Sequence, residues 1–357
     1  MVRSLPPGEF DCHIAVPAPP PLAQELRDAG ATVHVVPMER ISTSHRPAAW
    51  VGYAARWPVS VARLARLARR IDADVVHTNS LHSWYGWAAS WCVRRPHVWH
   101  AREIVVQSRA ALRVERLLAR RFATTVIAMS AAVAAQLDPA NVTVIYETAD
   151  PTRFRPDLAG RFRRRVGIPD DAPLLGAASR VDTWKGLGVL LDAWERISDE
   201  HAGAHLVVAG GPVAGKEDYA RRLAERAAAL PRAHWLGARD DIPELLADLD
   251  VFTQPSTEPE PYGLSVVEAL ASGVAAIVTD AGGASEILDR SPFGTGAGAR
   301  VPPGDAPALA RAVASLLPDT TSVERRRQRA SLQPPSEDER FAAVFREAAG
   351  VEGPLAG

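Results

Sequence analysis

Cysteine, lysine and long apolar runs are all scarce in this chain of 357 residues. Its two cysteines, Cys12 and Cys92, supply neither a disulfide framework nor a cysteine metal cluster. That excludes the small stapled scaffolds and points to a reducing compartment. No apolar run reaches the ~18 residues of a membrane-spanning helix. The opening MVRSLPPGEF has no apolar signal-peptide core, so the expectation is a cytoplasmic protein. A dominant charge is missing too: the net charge is −1, unlike that of a dedicated nucleic-acid binder. Lysine occurs only at Lys185 and Lys216, arginine supplying the rest of the 41 basic residues. A lysine at a motif position is therefore informative. No repeat of solenoid spacing is present.

What the chain does have is globular composition, 47% hydrophobic and 23% charged, enough for sizeable cores. At roughly 150 residues per domain its length predicts two domains. Charge divides unevenly, with 19 basic and 12 acidic side chains in residues 1–155 against 22 and 30 in the remainder. Short apolar runs alternate with amphipathic stretches throughout. Strands are expected at 12–16, 33–36, 75–78, 97–100, 125–128 and 142–145, then at 174–179, 205–210, 233–236, 251–255 and 275–279. Helices are expected between them, at 22–29, 60–70, 84–92, 110–122 and 131–137, then at 187–197, 217–229, 242–248, 265–272 and 306–317. This alternation predicts α/β architecture with two doubly wound, Rossmann-like domains facing a cleft. The boundaries read as 1–149, a linker at 150–160, a second domain at 161–335, and a C-terminal helix and tail at 336–357.

Chemistry concentrates just after strands. The stretch PSTEPEPYGLSVVEALASG (255–273) holds Glu260 and Glu268, with Gly263 before a helical pattern. The helix opening near Leu264 offers free N–H groups to phosphate, and carboxylates suit the vicinal hydroxyls of a sugar nucleotide. A surface loop leading into an amphipathic helix has the same spacing. In SRVDTWKGLG (179–188), Arg180 and Lys185 lie at a strand end, suited to clamping a diphosphate. Downstream, Gly282 and Gly283 form a turn into a helix, a further anion or backbone-contact site.

Arg180, Lys185, Glu260, Glu268 and the Gly282-Gly283…Glu286 turn together resemble, in order and spacing, the retaining family 4 glycosyltransferases of the GT-B fold. The resemblance runs along nearly the whole chain. It implies that Arg180 and Lys185 hold the donor diphosphate and stabilise charge on the departing nucleotide. Glu260 would contact donor-sugar hydroxyls, with the backbone of Tyr262, Gly263 and Leu264 nearby, and Glu268 would bind the ribose. The stretch from Gly237 to Ile242 would border the nucleobase, and His100 would reach toward the transferred sugar. The implied activity is transfer of a hexose-type unit from a nucleotide sugar to an acceptor hydroxyl, with retention, without a metal and without a cofactor. The acceptor, whether small molecule, glycan or lipid-linked sugar, is not specified. Two Asp-x-Asp matches, Asp72–Asp74 and Asp248–Asp250, invite a metal reading, but both sit at ordinary helix-to-strand boundaries.

Three places depart from the family pattern. The usual opening unit of strand, Gly-rich loop and helix is missing, and MVRSLPPGEF reads as the end of the first helix. The expectation is a truncated first domain, with roughly 20–30 further residues, the size of such a unit, encoded upstream of Met1. Glu147 and Thr148 stand where an Asn-Gly turn is common, and GVAAIVTD replaces a proline-containing stretch at Val274–Val278. Two other functions fit the same residues: a nucleotide-sugar epimerase or hydrolase, and a nucleotide-sugar-binding protein with little turnover. Trp84, Trp87 and Trp91 recur at helical spacing and read as core before sugar platform. The basic amphipathic stretch 56–70 reads first as a solvated face and second as a peripheral membrane contact.

Overall fold

A computed structural model of the chain describes residues 2–6, 8–18, 23–39, 47–106, 108–137, 141–291, 297–317 and 337–351. The chain divides into two compact units, residues 1–147 with 336–357, and residues 148–335.

The first unit contains strands β1 (His13–Val16), β2 (Thr32–Val35), β3 (Val76–Thr78), β4 (His97–Ala101), β5 (Thr125–Ala128) and β6 (Val142–Val144). Alternating with them are helices α1 (Ala23–Asp28), α2 (Pro47–Arg70), α3 (Tyr85–Val93), α4 (Arg109–Phe122) and α5 (Ala131–Ala135). All pairings are parallel: β1 with β2 in one sheet, and β3-β4-β5-β6 in another. Val2–Ser4 forms a single 3₁₀ turn. Helix α2 runs 24 residues with Pro58 inside it, starting well before the expected 60. Proline and the aromatic run ahead of it blur the period that announces the helix's second half.

Strand β4 is buried along its whole length, as a central parallel strand covered on both faces must be. Side chains alternate across it, so Val98 and His100 share one face. The C-terminal helix, Asp338–Ala349, covers that face: its Phe341 and Phe345 join Val98, Ile127 and Ile145 in one apolar cluster. The end of the chain thus belongs to the core of the first unit.

The second unit contains β7 (Leu174–Ala178), β8 (His205–Ala209), β9 (Ala233–Gly237), β10 (Val251–Gln254), β11 (Ala275–Thr279) and β12 (Gly298–Val301). Its helices are α6 (Arg161–Val166), α7 (Leu187–Ile197), α8 (Glu217–Ala229), α9 (Ile242–Asp248), α10 (Leu264–Ala271), α11 (Ala284–Arg290) and α12 (Ala306–Leu316). The parallel sheet has the order β9-β8-β7-β10-β11-β12. The winding direction reverses between β7 and β10, which makes their carboxyl ends a topological switch point, where open α/β sheets bind ligands. Helix α7 shows why the unit folds: Leu187, Leu190, Leu191, Trp194 and Ile197 recur at helical spacing, and all five are buried against β7, β8 and α12. Each such side chain contributes about 1.5–3 kcal/mol on burial.

Residues 150–160, expected as a linker, lie within the second unit. Phe154 and Leu158 are buried, and the 3₁₀ turn Pro156–Leu158 packs on α9. The Gly160 N–H donates to Asp248, and Arg163 of α6 donates from Nη2 to Asp250 Oδ2 at 2.9 Å and to the Asp248 carbonyl at 2.9 Å. Asp250 Oδ2 also accepts from Leu174 N at 2.8 Å. Asp248 and Asp250, at 1% and 2% exposure, are thus anchors that fasten the incoming chain to the sheet. Their lone pairs serve Arg163 and backbone N–H groups, which gives the second Asp-x-Asp match a structural role.

Candidate functional site

The loops after β7, β10 and β11 carry the residues singled out in the second half of the sequence. After β7, Asp182 caps the 3₁₀ turn Thr183–Lys185, its Oδ1 accepting from Thr183 N at 2.7 Å. Gly186 follows with φ +67°, and a Cβ there would lie 1.8 Å from the Pro255 carbonyl oxygen. Only glycine satisfies both the backbone angle and that approach. The two loops are laced together further by Thr257 N donating to the Trp184 carbonyl at 2.7 Å.

That lacing brings together groups 75 residues apart: Lys185 Nζ donates to Glu260 Oε2 at 2.7 Å. Ser256 Oγ donates to the same carboxylate oxygen at 3.0 Å. The ammonium also lies 4.0 Å from the centre of the Trp184 ring, whose Nε1 donates to Asp182 Oδ2 at 3.2 Å. Lys185 and Glu260 side chains retain only 11% and 9% exposure. The cation is therefore held by a carboxylate and an aromatic face; Arg180, two residues past the end of β7, is exposed.

Glu260 is fixed from behind by the glycine turn. Its N–H donates to the Ala281 carbonyl at 3.2 Å, and its own carbonyl accepts from Gly283 N at 2.7 Å. Gly282 has φ +81°, and a Cβ would come 2.2 Å from the Glu260 carbonyl oxygen. The Gly282-Gly283 turn was expected as an anion or backbone-contact site. The Gly283 N–H is engaged by the Glu260 carbonyl, so this turn positions the carboxylate.

Helix α10 opens the other side. Gly263 is its N-cap, Leu264 its exposed first residue, and Tyr262 is buried at 4% exposure just before it. The first N–H groups of any helix lack intrahelical partners. One turn on, burial pushes the Glu268 carboxyl up to about 7, with Arg153 pulling weakly the other way. Gly237 ends β9 with φ +68°, and Ile242 begins α9; between them Arg239 holds Asp241 through two hydrogen bonds of 2.6 Å.

Four groups at or beside this site have no role in the sequence reading: Trp184, Ser256, Gln254 and Thr279. Gln254 ends β10 at 4% exposure, and its Oε1 has no hydrogen-bond partner among the described residues. Thr279 Oγ1, at the end of β11, is likewise buried and unpartnered. Buried polar atoms without partners are costly, and these two sit at the strand ends where a polar ligand would satisfy them. The available signal was position alone, since each ends a strand or adjoins a motif residue.

His100 departs from expectation. It is fully buried in the first unit, its ring 5.8 Å from that of Phe341 and 5.8 Å from that of His77. Burial, reinforced by Arg102, pushes its pKa down to about 2, so the imidazole is neutral. Sharing a strand face with Val98 puts it under the C-terminal helix, inside the core of the first unit. The loop that follows β4 is anchored instead by Glu103, whose Oε2 accepts from Leu81 N at 3.0 Å.

Two family models match the chain: "Glycosyl transferase 4-like domain" over residues 1–146 and "Glycosyl transferases group 1" over residues 160–333. A D-inositol 3-phosphate glycosyltransferase of Stackebrandtia nassauensis is 36% identical over 155 residues, covering 41% of this chain and 35% of that protein. A GDP-mannose-dependent alpha-mannosyltransferase of Mycobacterium tuberculosis is 30% identical over 254 residues, covering 66% and 62% respectively. The chain thus spans less than two thirds of the length of these curated relatives. Among solved structures, Anabaena HepE in complex with UDP and glucose is similar at a TM-score of 0.80 and 26% identity, covering 96% of this chain and 94% of that one.

Proposed function

The chain belongs to the group 1 glycosyltransferases, with the two-domain Rossmann-like GT-B fold. From that premise we propose that it transfers a sugar from a nucleotide sugar to an acceptor hydroxyl with retention and without a metal. The observation that carries this reading is the Lys185–Glu260–Ser256 cluster at the switch point of the second unit, beside the opening of α10. A largely enclosed cation next to a carboxylate suits a ligand that is anionic at one end and hydroxylated at the other.

In the proposed reaction the bond between the sugar's anomeric carbon and the diphosphate oxygen breaks. The acceptor oxygen bonds to the same face, and its proton passes to the leaving phosphate. Arg180 and Lys185 meet charge that grows on the diphosphate, which is where preorganised cations accelerate a reaction. Glu260 accepts hydrogen bonds from donor-sugar hydroxyls and Glu268 from the ribose. HepE, solved with UDP and glucose, and the GDP-mannose-dependent relative make UDP-glucose and GDP-mannose the first donors to try. Incubation with each labelled donor and an acceptor panel, with the anomeric configuration read by NMR, tests the reading. Free sugar or an epimerised donor as the sole product would replace transfer by hydrolysis or epimerisation. EDTA should leave turnover unchanged, and metal-dependent turnover would overturn the metal-free mechanism.

The Glu268 assignment carries a pH dependence. A carboxylate accepts ribose hydroxyls better than a carboxylic acid does, so nucleotide affinity should rise as pH climbs through about 7 and then level off. In Glu268→Gln that rise should vanish. The free protein responds oppositely. Between an unfolded carboxyl's value of about 4.3 and the folded value of about 7, the folded state keeps a proton the unfolded chain has lost. Stability therefore falls as pH rises through that window, and Glu268→Gln should fall less. Calorimetric titrations and melting curves across pH read both effects. A pH-independent wild-type affinity would remove Glu268 from the ribose.

A further inference from the structure

The loops after β3 and β4 leave the first unit's sheet at neighbouring carboxyl ends, the edge where open α/β sheets bind ligands. One carboxylate ties the two loops together. Glu103 Oε2 accepts from Leu81 N at 3.0 Å and from Arg102 N at 3.2 Å, and its Oε1 accepts from Ser80 Oγ. The Ser80 carbonyl accepts from Trp99 Nε1 at 2.8 Å, and Ser80 Oγ accepts from His82 N at 3.2 Å. Gln136 braces the second loop, its Nε2 donating to the Glu103 carbonyl and its Oε1 accepting from Val105 N at 2.9 Å. The backbone that presents His82 is thereby fixed.

Behind His82 stands Glu115 of α4, 1% exposed. Its Oε1 lies 2.8 Å from His82 Nδ1, and its Oε2 is buried without a partner among the described residues. An apolar side chain at that position would cost the core less. What the carboxylate does is hold the proton on Nδ1 and set the ring's orientation. It also holds the His82 pKa above the ordinary value, against burial and with help from Glu103. The side chain is left 46% exposed, and its Nε2 has no hydrogen bond among the described residues. No other described histidine is bonded to a buried carboxylate. A hydroxyl, donor and acceptor at once, complements Nε2 whether the ring is neutral or charged. An anion would bond to the charged ring alone and would face two carboxylates, Glu103 and Glu115, against one imidazolium. Arg102, beside Glu103 in the chain, is already paired with Glu147 at 2.7 Å.

We propose that His82 is an acceptor-binding residue, its Nε2 hydrogen-bonded to a hydroxyl of a neutral, sugar-like acceptor, and that Glu115 positions it. The hydroxyl is one that keeps its proton, so the transfer step stays as given above. His82's role toward an acceptor rests on the transferase reading, whereas hydroxyl binding at this edge does not.

Histidine-labelled full-length protein tests this by NMR and by transfer, with the methyl α-pyranosides of glucose, mannose and galactose as probes. The His82 resonances are assigned by their loss in His82→Gln. They should titrate above the usual imidazole value of about 6.5, and Glu115→Gln should lower that pKa. At least one pyranoside should shift them at about pH 6 and about pH 8 alike, below and above the usual imidazole value. Inorganic phosphate at equal concentration should not. In transfer to that pyranoside, His82→Ala should raise the acceptor KM about tenfold, the scale of one hydrogen bond, with kcat and nucleotide affinity little changed. His82→Gln, whose amide reaches the position of Nε2, should restore most of the affinity. An ion pair of purely structural role would move the melting temperature and leave KM alone. Absence of a pyranoside shift at His82 overturns the proposal, as does an unchanged KM in His82→Ala. A phosphate shift as large as the pyranoside shift overturns it in favour of an anion site, and a His82 pKa unmoved by Glu115→Gln overturns the positioning role. Pyranoside contact at His82 without sugar transfer supports the hydroxyl site and strikes the transferase reading alone.

Discussion

Lys185→Ala should lower turnover of the sugar donor by about 10²–10³-fold, the scale on which losing one preorganised charge stabiliser is felt. The fall should appear in kcat more than in nucleotide affinity, because charge on the leaving diphosphate is greatest at the transition state. A second consequence follows from the ion pair. Without the ammonium, Glu260 remains at 7% exposure with Ser256 as its one remaining side-chain donor among the described residues. Breaking a buried pair from one side costs about 3–5 kcal/mol, so the single variant should also melt earlier. Lys185→Met/Glu260→Gln removes both charges and should recover most of the stability while staying inactive. That split separates charge chemistry from collapse of the loop. Wild-type turnover in Lys185→Ala would sink the diphosphate assignment, and an unchanged melting temperature would mean the pair contributes nothing to the loop.

Arg163→Ala should be the most damaging change to the fold of the second unit. The guanidinium is 4% exposed and donates to Asp250 Oδ2, to the Asp248 carbonyl and to the Pro169 carbonyl at 3.0 Å. Its loss leaves two buried carboxylates without a cation, again about 3–5 kcal/mol. In a unit of this size, at roughly 2–4 °C per kcal/mol, melting should fall by about 10 °C. Arg163→Lys should rescue little, because an ammonium cannot span carboxylate and carbonyls as a planar fork does. A thermal melt of both variants decides the matter, and a melting temperature within about 2 °C of wild type in Arg163→Ala would show the network to be dispensable.

Much of this architecture was legible from the period of apolar residues. Helices 187–197, 217–229 and 242–248 fall at their expected bounds because each has a full apolar stripe and a clear capping or breaking residue. Strands 125–128 and 275–279 do as well, being short apolar runs too brief for a helix. Helix α6, RFRRRV, escaped notice because its burial rests on Phe162 and an arginine, a pattern with no apolar period. Strand β12 escaped because the glycine and arginine in GARV mask its two apolar residues.

The sequence by itself determined where the loops with Arg180, Lys185, Glu260 and the paired glycines must emerge, since βα alternation places such loops at strand carboxyl ends. Tertiary structure decided what those residues do to one another. Lys185 and Glu260 pair across 75 positions because β7 and β10 are neighbours, a fact of strand order that no local pattern encodes. His100 was decided the same way. Its strand was legible, but which face would be covered depended on a helix more than 200 residues later in the chain. Period fixes which side chains share a face; only the packing of distant elements settles whether that face meets solvent, a ligand or the core.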